Sequence, residues 1–143
     1  MKLLDLFSGT QSVTKQAVEL GFEATCLDRD LEADIETDIM DWDYKQYEPK
    51  HFDVIWASPP CTEYSIAKTT GIRDIEGANN IVKGTLEIIE YFQPKSFMVE
   101  NPQTGLLKNQ DFMQHLNYND VDYCQYLMPP SPLMQKRLWF NGW

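Results

Sequence analysis

Short apolar runs separated by polar turns give the chain its main pattern. Four of them predict buried strands: KLLDLF at residues 2–7, EATCLD at 23–28, FDVIWA at 52–57 and PKSFMVEN at 94–101. The shorter ETDIMD at 36–41 predicts a further strand that contains Asp38. VDYCQYLM at 121–128 and RLWFNG at 137–142 predict two closing strands, joined by the turn-rich PPSPLMQ. The near-continuous apolar character of FDVIWA is typical of a parallel sheet covered on both faces.

Helical spacing of apolar residues appears between these runs. It predicts a helix over residues 11–20, ended by Gly21, whose inward face consists of Val13, Ala17, Val18 and Leu20. A second helix over 78–92 has the clearest amphipathic face, formed by Ile81, Val82, Leu86, Ile89 and Phe92. Residues 104–116 are also predicted to be helical. Alternating strands and helices indicate a doubly wound α/β sheet, mostly parallel and seven-stranded, whose closing strand can run antiparallel.

Length and composition limit the class of protein. With 143 residues, 43% of them hydrophobic, the chain fits a single domain over residues 1–143. No apolar run approaches the roughly 20 residues of a membrane span, and the amino terminus lacks a secretory cleavage site. We therefore expect no membrane partner and a cytoplasmic location, or the host cytoplasm or nucleoid for a viral protein. There Cys26, Cys61 and Cys124 should be free thiols, and their scattered spacing predicts no metal site.

The net charge of −10 is unevenly distributed, because residues 1–50 carry 5 Lys/Arg against 12 Asp/Glu. A nucleic-acid-binding protein usually has a basic face, since neutralising phosphates dominates its affinity. Tight unaided binding to duplex DNA is therefore not expected. Any contact with DNA should come from the basic residues of the middle and C-terminal parts, which are Lys68, Arg73, Lys83, Lys108, Lys136 and Arg137.

Polar clusters lie just beyond the predicted strands. They are DLFSGT, Asp28, Asp38, SPPC and ENP. In an open α/β sheet the carboxyl ends of the strands form the site, so these clusters should meet at one edge. Gly9 suits close approach of backbone to a ligand, but its single glycine is not the dinucleotide fingerprint, which needs three. Asp28 is placed to accept hydrogen bonds from the hydroxyl groups of a ribose.

In this order the motifs resemble those of the DNA cytosine-5 methyltransferase family, through nearly the whole chain. DLFSGT resembles the first motif, TDI the adenine-binding pair, SPPCTEYS the catalytic loop, the ENP segment the Glu-Asn motif and MQKRLWF the Gln/Arg strand. The resemblance implies a Rossmann-like methyltransferase fold and S-adenosylmethionine as cofactor. It implies cofactor contacts from Asp5, Phe7, Ser8, Gly9, Thr10, Asp28, Arg29, Asp38, Ile39, Pro59 and Leu86. The target-recognition domain and final helix of the family are not expected within these 143 residues.

The same resemblance assigns the chemistry. Cytosine C5 is a poor nucleophile, so a thiolate adding at C6 is needed to push electron density onto C5. Cys61, stiffened by Pro59 and Pro60, is the predicted nucleophile. Glu100 would offset charge at N3 of the base and Arg137 charge at O2. Substrate contacts are expected from Pro60, Ser65 and Asn101, and Tyr64 either contacts the substrate or packs in the loop.

Two other interpretations remain open. Ser-Pro-Pro followed by an aromatic residue marks enzymes that methylate exocyclic amines, cytosine N4 or adenine N6, but Cys61 together with Glu100 and Asn101 favours C5 chemistry. A non-catalytic subunit that binds S-adenosylmethionine is the second. The partner would be DNA, single-stranded or bound with help from a second chain, and the chain could form a homodimer or complement another subunit.

Overall fold

A computed structural model describes residues 1–122 and 135–141. Within these ranges the strands are β1 (Lys2–Leu6), β2 (Glu23–Asp28), β3 (Ile35–Glu36), β4 (Val54–Ala57), β5 (Ser96–Pro102), β6 (Asn117–Asp122) and β7 (Gln135–Phe140). The α-helices are α1 (Ser12–Glu19) and α2 (Ile75–Phe92). Short 3-10 helices span Tyr44–Gln46, Leu106–Asn109 and Asp111–Met113.

The strands form one seven-stranded sheet in the order β3-β2-β1-β4-β5-β7-β6. The first five pair in parallel, whereas β7 is antiparallel to both β5 and β6. This confirms the predicted α/β fold with a mostly parallel sheet and an antiparallel C-terminal strand. Because the carboxyl ends of β1, β2, β3, β4 and β5 share one edge, the residues that follow these strands are brought together there.

Both faces of the sheet are covered near its centre, because side chains alternate along each strand. Leu4 and Leu6 of β1 join a large cluster on the face of α2, whereas Asp5 lies on the opposite face and contacts Thr14 of α1. The order β2-β1-β4-β5 also requires right-handed crossovers in opposite directions, which place α1 and α2 on opposite faces. An aromatic group around Trp42 and Phe92 closes the α2 side.

The first helix differs from its prediction. α1 buries Thr14 and Ala17, but Val18 is 57% exposed and Leu20 is 77% exposed, so the predicted inward face was wrong at these two positions. The reason is length: α1 has eight residues, and positions 14 and 17, three apart, already cover the sheet. Gly21, at φ 84°, ends the helix region as predicted.

The second helix begins earlier than its apolar pattern indicated. α2 starts at Ile75 because the Asp74 side chain accepts a hydrogen bond from the Gly77 amide at 2.8 Å, which caps the helix. Ala78, Val82, Thr85, Ile88, Ile89 and Phe92 form its buried face.

Three further elements correct the prediction. β3 is only two residues long, so Asp38 follows that strand rather than lying in it. Residues 104–116 contain two 3-10 helices and no α-helix. β6 begins at Asn117, earlier than predicted, because an edge strand pairs through its backbone and needs no apolar run. The rest of the predicted VDYCQYLM strand, with Cys124, and the PPSPLM link lie outside the described residues.

The helices in the described ranges 1–122 and 135–141 include none that is long and apolar enough to cross a membrane.

Leu4 is buried and Leu20 is exposed, so the same substitution at both positions tests the packing of β1 and α1. Leu4→Ala, at a fully buried position, should lower the free energy of unfolding by about 2–5 kcal/mol, because it leaves a cavity in the sheet core. Leu20→Ala, the same change at an exposed position, should cost less than about 0.5 kcal/mol. Urea denaturation followed by circular dichroism measures both. Equal losses would contradict the position of α1.

Candidate active site

The turn after β1 is strained in a way that favours ligand binding. Phe7 and Gln11 have φ of 60° and Gly9 has φ of 54°, so three of five consecutive residues are left-handed. Left-handed non-glycine residues cost free energy and persist mainly where a site requires their geometry. Gln11 also stands at the start of α1, whose first amides therefore open toward this turn.

Asp28, at the end of β2, is held by backbone amides. Its Oδ2 accepts from Gly9 N at 2.9 Å, and its Oδ1 accepts from the amides of Asp30 at 2.9 Å and Leu31 at 3.0 Å. Burial by itself would raise the pKa of Asp28, but the hydrogen bonds from Gly9, Asp30, Leu31 and Arg29 together lower it below its usual value. The carboxylate stays ionised, and Oδ2, which accepts only from Gly9, keeps a lone pair for a ligand hydroxyl.

Asp5, near the end of β1, is a second carboxylate held by hydrogen bonds. It is buried, and its Oδ2 accepts from the Thr14 hydroxyl at 2.6 Å and the Thr14 amide at 3.1 Å. Burial raises the pKa of Asp5, the Thr14 hydrogen bonds counteract this, and the charge of Asp28 adds to the rise. Ser8 is also buried, and its amide continues the β1–β2 ladder to Leu27 O at 3.1 Å. Asp5 therefore contacts α1 rather than the cavity described next.

A cavity of about 110 Å³, partly open to solvent, lies at the carboxyl edge of the sheet. Its lining contains five of the predicted cofactor residues, Phe7, Asp28, Arg29, Asp38 and Ile39, with Leu27, Asp30, Thr37, Pro60 and Ile81. An aromatic ring, aliphatic side chains and two fixed carboxylates suit a ligand with a flat apolar part and hydroxyl groups, as in a nucleoside.

The remaining predicted cofactor residues lie elsewhere around this edge. Gly9 and Thr10 line an adjoining open groove with Gln11, Lys15, Leu31 and Glu32. Leu86 packs against the core and is not in the lining, whereas Ile81, five positions earlier on α2, is. The sequence named Ile81 only as a core residue. Its place near the start of α2 was the signal for a lining role, because that end of the helix lies toward the carboxyl edge of β4.

Arg29 spans the rim of the cavity. Its guanidinium pairs with Asp30 at 2.9 Å and with Asp38 at 3.3 Å, and Asp38 also accepts from Met40 N at 2.9 Å. These contacts raise the pKa of Arg29, with the hydrogen bond to Asp30 contributing most. The rim therefore has a fixed cation between two acids, and Asp38 is oriented beside the buried Ile39.

The loop after β4 carries the predicted nucleophile. Pro59 is buried and Cys61 is half-buried. Asn101, on β5 and 1% exposed, donates from Nδ2 to Pro59 O at 3.0 Å. Two residues span at most about 7 Å, so this bond ties the backbone of Cys61 close to the residue that follows Glu100. Asn101 thus contacts the loop.

Tyr64 packs inside the protein. Its side chain is fully buried, its hydroxyl donates to Asn79 Oδ1 at 2.8 Å, and burial raises its pKa to about 12. Of the two alternatives for Tyr64, the structure shows loop packing. Ser65 Oγ accepts from Ala67 N at 3.2 Å, so the described structure gives this hydroxyl a local turn contact. Cys26, predicted to be a free thiol, is one and is buried.

Glu100 and Arg137 face opposite sides of the sheet. Glu100 pairs with Leu138 in the β5–β7 register, and its carboxylate meets Lys136 Nζ at 2.7 Å, with these side chains only 12% and 15% exposed. Arg137 is bound through two nitrogens to Asp120, at 2.6 and 2.8 Å, and its guanidinium lies 3.7 Å from the centre of the Tyr118 ring. Sequence reasoning missed Lys136 as the cation beside Glu100.

The basic residues expected at DNA are largely used within the chain. Lys68 contacts Glu63, Arg73 contacts backbone carbonyls of the loop, and Lys83 lies 5.3 Å from the centre of the Phe112 ring. In residues 1–122 and 135–141 no group of three His, Cys, Asp or Glu is arranged to hold a metal ion.

The fold is that of the S-adenosylmethionine-dependent methyltransferases. Residues 1–123 match the family model for C-5 cytosine-specific DNA methylase, so the chain belongs to that family, as the sequence motifs predicted. It is 39% identical over 141 residues to the "Probable DNA (cytosine-5)-methyltransferase" of Frog virus 3 (isolate Goorha), covering 88% of this chain and 64% of the relative.

Two solved structures show the same fold. One is a prophage protein of E. coli described as a DNA modification methyltransferase, with a TM-score of 0.65 and 16% identity over 98% of this chain and 46% of that one. The other is Pyrococcus abyssi tRNA (uracil-54, C5)-methyltransferase in complex with S-adenosyl-L-homocysteine, with a TM-score of 0.55 and 13% identity over 98% of this chain and 34% of that one. This chain therefore spans less than two thirds of the length of each of these relatives.

Because backbone amides bind the Asp28 carboxylate, we expect Asp28 to stabilise the fold by an amount that depends on pH. Because the folded pKa lies below the usual value of 3.8, the stabilisation is fully present above about pH 3.8 and is lost as pH falls through the folded pKa. Asp28→Asn should lower the free energy of unfolding at pH 7 by about 1–2 kcal/mol, since a partly exposed carboxylate loses its charge-assisted bonds. Urea denaturation from pH 7 to 2.5 should show the difference from wild type narrowing at the acid end.

Asp41→Asn is the matched control, since it removes the same charge from an exposed side chain. It should change stability by less than about 0.5 kcal/mol. A difference for Asp28→Asn that grows toward low pH would contradict the assignment.

Proposed function

We propose that the chain is the catalytic part of a DNA cytosine-5 methyltransferase that uses S-adenosylmethionine. The observation that carries this is the bond from Asn101 to Pro59, which couples the loop of Cys61 to the strand of Glu100 at the carboxyl edge of the sheet, where the cavity lies. The family match and the curated relative support the same reaction.

The cavity residues support S-adenosylmethionine as the cofactor. Phe7 and Ile39 offer apolar contacts to an adenine ring, Asp38 an acceptor for its amino group, and Asp28 an acceptor for ribose hydroxyls. The adjoining groove at Gly9 and Thr10 would take the methionine end. When bound, the cofactor supplies an electrophilic methyl group on a sulfonium. The Pyrococcus abyssi neighbour holds the demethylated product of that cofactor.

Cys61 is the nucleophile in this proposal. Its thiolate would form a bond to C6 of cytosine, and the electrons of the C5–C6 double bond would then form the bond from C5 to the methyl group, while the methyl–sulfur bond breaks and its electrons stay on the sulfur of the departing S-adenosylhomocysteine. A base afterwards takes the C5 proton, the electrons of that C–H bond restore the double bond, and the thiolate leaves. Pro59, buried and bonded to Asn101, fixes the loop on the amino-terminal side of Cys61.

Glu100 and Lys136 stabilise the negative charge that the thiolate addition places on the cytosine ring. The negative charge spreads to N3 and O2, which are both attached to C2 of the base. Glu100 is the proposed hydrogen-bond partner of N3, while the Lys136 ammonium, 2.7 Å from the Glu100 carboxylate in the structure, serves O2. Arg137, predicted for O2, is bonded to Asp120 and stabilises the β6–β7 edge in this proposal. Pro60 and Ser65 remain proposed substrate contacts.

Cofactor binding can be tested without catalysis. Phe7→Ala should weaken binding of S-adenosylmethionine about tenfold in isothermal titration calorimetry, because the cavity loses an aromatic face. Phe22→Ala, at a half-buried position that is not in the cavity lining, is the control and should bind as wild type does. Equal affinities for the two variants would remove the cavity as the cofactor site.

The covalent step has a direct assay. Wild type, incubated with labelled cofactor and single-stranded DNA containing 5-fluorocytosine, should form a stable adduct, because fluorine cannot leave as the C5 proton does. Cys61→Ser should form none, and Cys26→Ser, which changes a buried thiol, should form it at the wild-type level. Cofactor binding without adduct on single- or double-stranded DNA would show that this chain alone does not catalyse the reaction.

The charge distribution favours a second candidate function. The net charge is −10, and Lys68, Arg73, Lys136 and Arg137 are engaged by contacts within the chain, so these four cations are not free to bind DNA phosphates. The chain would then bind the cofactor and complete its DNA site with a second chain or a second copy. Adduct formation that rises steeply with protein concentration, and sedimentation as a dimer, would support this candidate.

A further inference from the structure

The segment from Cys61 to Asp74 has no helix or strand, yet one side chain organises its backbone. Arg73 Nη1 donates to Glu63 O at 3.1 Å and to Ser65 O at 2.8 Å, and Nη2 donates to Lys68 O at 2.8 Å. Three carbonyl groups of an irregular loop thus converge on one guanidinium. Its planar, multiple donors replace the ladder bonds that a strand or helix would provide.

Glu63 attaches the same loop to the start of α2. Both of its carboxylate oxygens lie 2.6 Å from Lys68 Nζ, and Oε2 also accepts from Asp74 N at 2.8 Å. The contact with Lys68 contributes most to lowering the pKa of Glu63, so the carboxylate stays ionised. Asp74 caps α2 through Gly77, and the loop end is therefore continuous with a packed helix.

The turn that contains Cys61 lies directly within this arrangement. Tyr64 N donates to Cys61 O at 3.1 Å, and Leu106 N donates to Tyr64 O at 2.9 Å. Two of the carbonyls bound by Arg73, those of Glu63 and Ser65, flank Tyr64. On its amino-terminal side Cys61 is fixed by the two prolines. On its carboxyl-terminal side the loop is held by these side-chain and turn contacts and by the buried Tyr64, whose hydroxyl donates to Asn79 of α2.

We propose that Arg73 is a positioning residue for Cys61, an inference that rests on the nucleophilic role proposed above. A thiolate must approach C6 to roughly 3–3.5 Å in the correct direction, and a displacement of about 1 Å can cost 100-fold in rate. By gathering three carbonyls, Arg73 holds the loop in one conformation before the base arrives. Its guanidinium is used for this purpose and is not offered to a DNA phosphate.

The first test compares Arg73→Ala with wild type in the full chain. Adduct formation with 5-fluorocytosine DNA should slow about 100-fold, while affinity for S-adenosylmethionine should stay within about twofold, since Arg73 does not line the cofactor cavity. Added guanidinium at millimolar concentration should restore part of the rate and methylammonium should not, because only the planar ion can bridge several carbonyls. Arg73→Lys, which keeps the charge, should remain about tenfold slow.

Lys95→Ala is the control for loss of a positive charge. Lys95 is 75% exposed, pairs with Asp53 and precedes β5, at the opposite edge of the sheet from the site. The rate of adduct formation by Lys95→Ala and its affinity for S-adenosylmethionine should equal those of wild type. If Lys95→Ala slowed adduct formation as much as Arg73→Ala does, the slowing would come from the lost positive charge alone. That result would overturn the proposal.

A second measurement does not depend on activity. In Arg73→Ala, amide hydrogen exchange over residues 62–70 should become at least about tenfold faster with the sheet unchanged, and the rate at which iodoacetamide alkylates Cys61 should change. Exchange and alkylation equal to wild type would overturn the proposal, as would faster exchange throughout the domain without guanidinium rescue. If wild type forms no adduct, the proposed function fails, while the exchange comparison still decides whether Arg73 holds the loop.

Discussion

The hydrogen bond from Asn101 to Pro59 is the contact on which the arrangement of the site depends. It joins the carboxyl ends of β4 and β5, and because Asn101 is almost completely buried, water does not compete for it. The parallel pairing of β4 with β5 brings the two strand ends together, but pairing ends at Ala57 and Val99. Beyond that point the amide side chain continues the connection into the loop. Together with the bond from Leu106 N to Tyr64 O, it ties the loop of Cys61 to the part of the chain that carries Glu100.

Electrostatics divides the molecule into two parts. Around the cavity at the carboxyl edge, carboxylates are held by backbone amides and by Arg29, so acids in a strongly acidic segment are fixed rather than left to repel one another. Around the loop and the β5–β7 edge, cations are taken up by Glu63, Glu100, Asp120 and backbone carbonyls. These cations therefore stabilise the fold and are not free to bind a polyanion.

On β7, a difference of one position decides which cation lies beside Glu100. Neighbouring residues of a strand point to opposite faces, so Lys136 reaches Glu100 while Arg137 reaches Asp120 and the Tyr118 ring. In the sequence the two cations are adjacent and equivalent, and the motif favours the arginine. The register with β5, Glu100 opposite Leu138, decides which of them lies beside the carboxylate.

The sequence by itself determined the sheet, the family and the edge at which the site forms. Buried parallel strands are continuous apolar runs, and polar residues after DLF, FDVIWA and FMVEN must gather where such strands end. It could not determine the exposure of Leu20, the short 3-10 helices after Asn101 or the early start of β6, since these follow from how much surface neighbouring elements leave to be covered. Nor could it assign Arg73 to the loop, Tyr64 to the core or Lys136 to Glu100. Those contacts join residues through space, and only the packed chain decides which donor meets which acceptor.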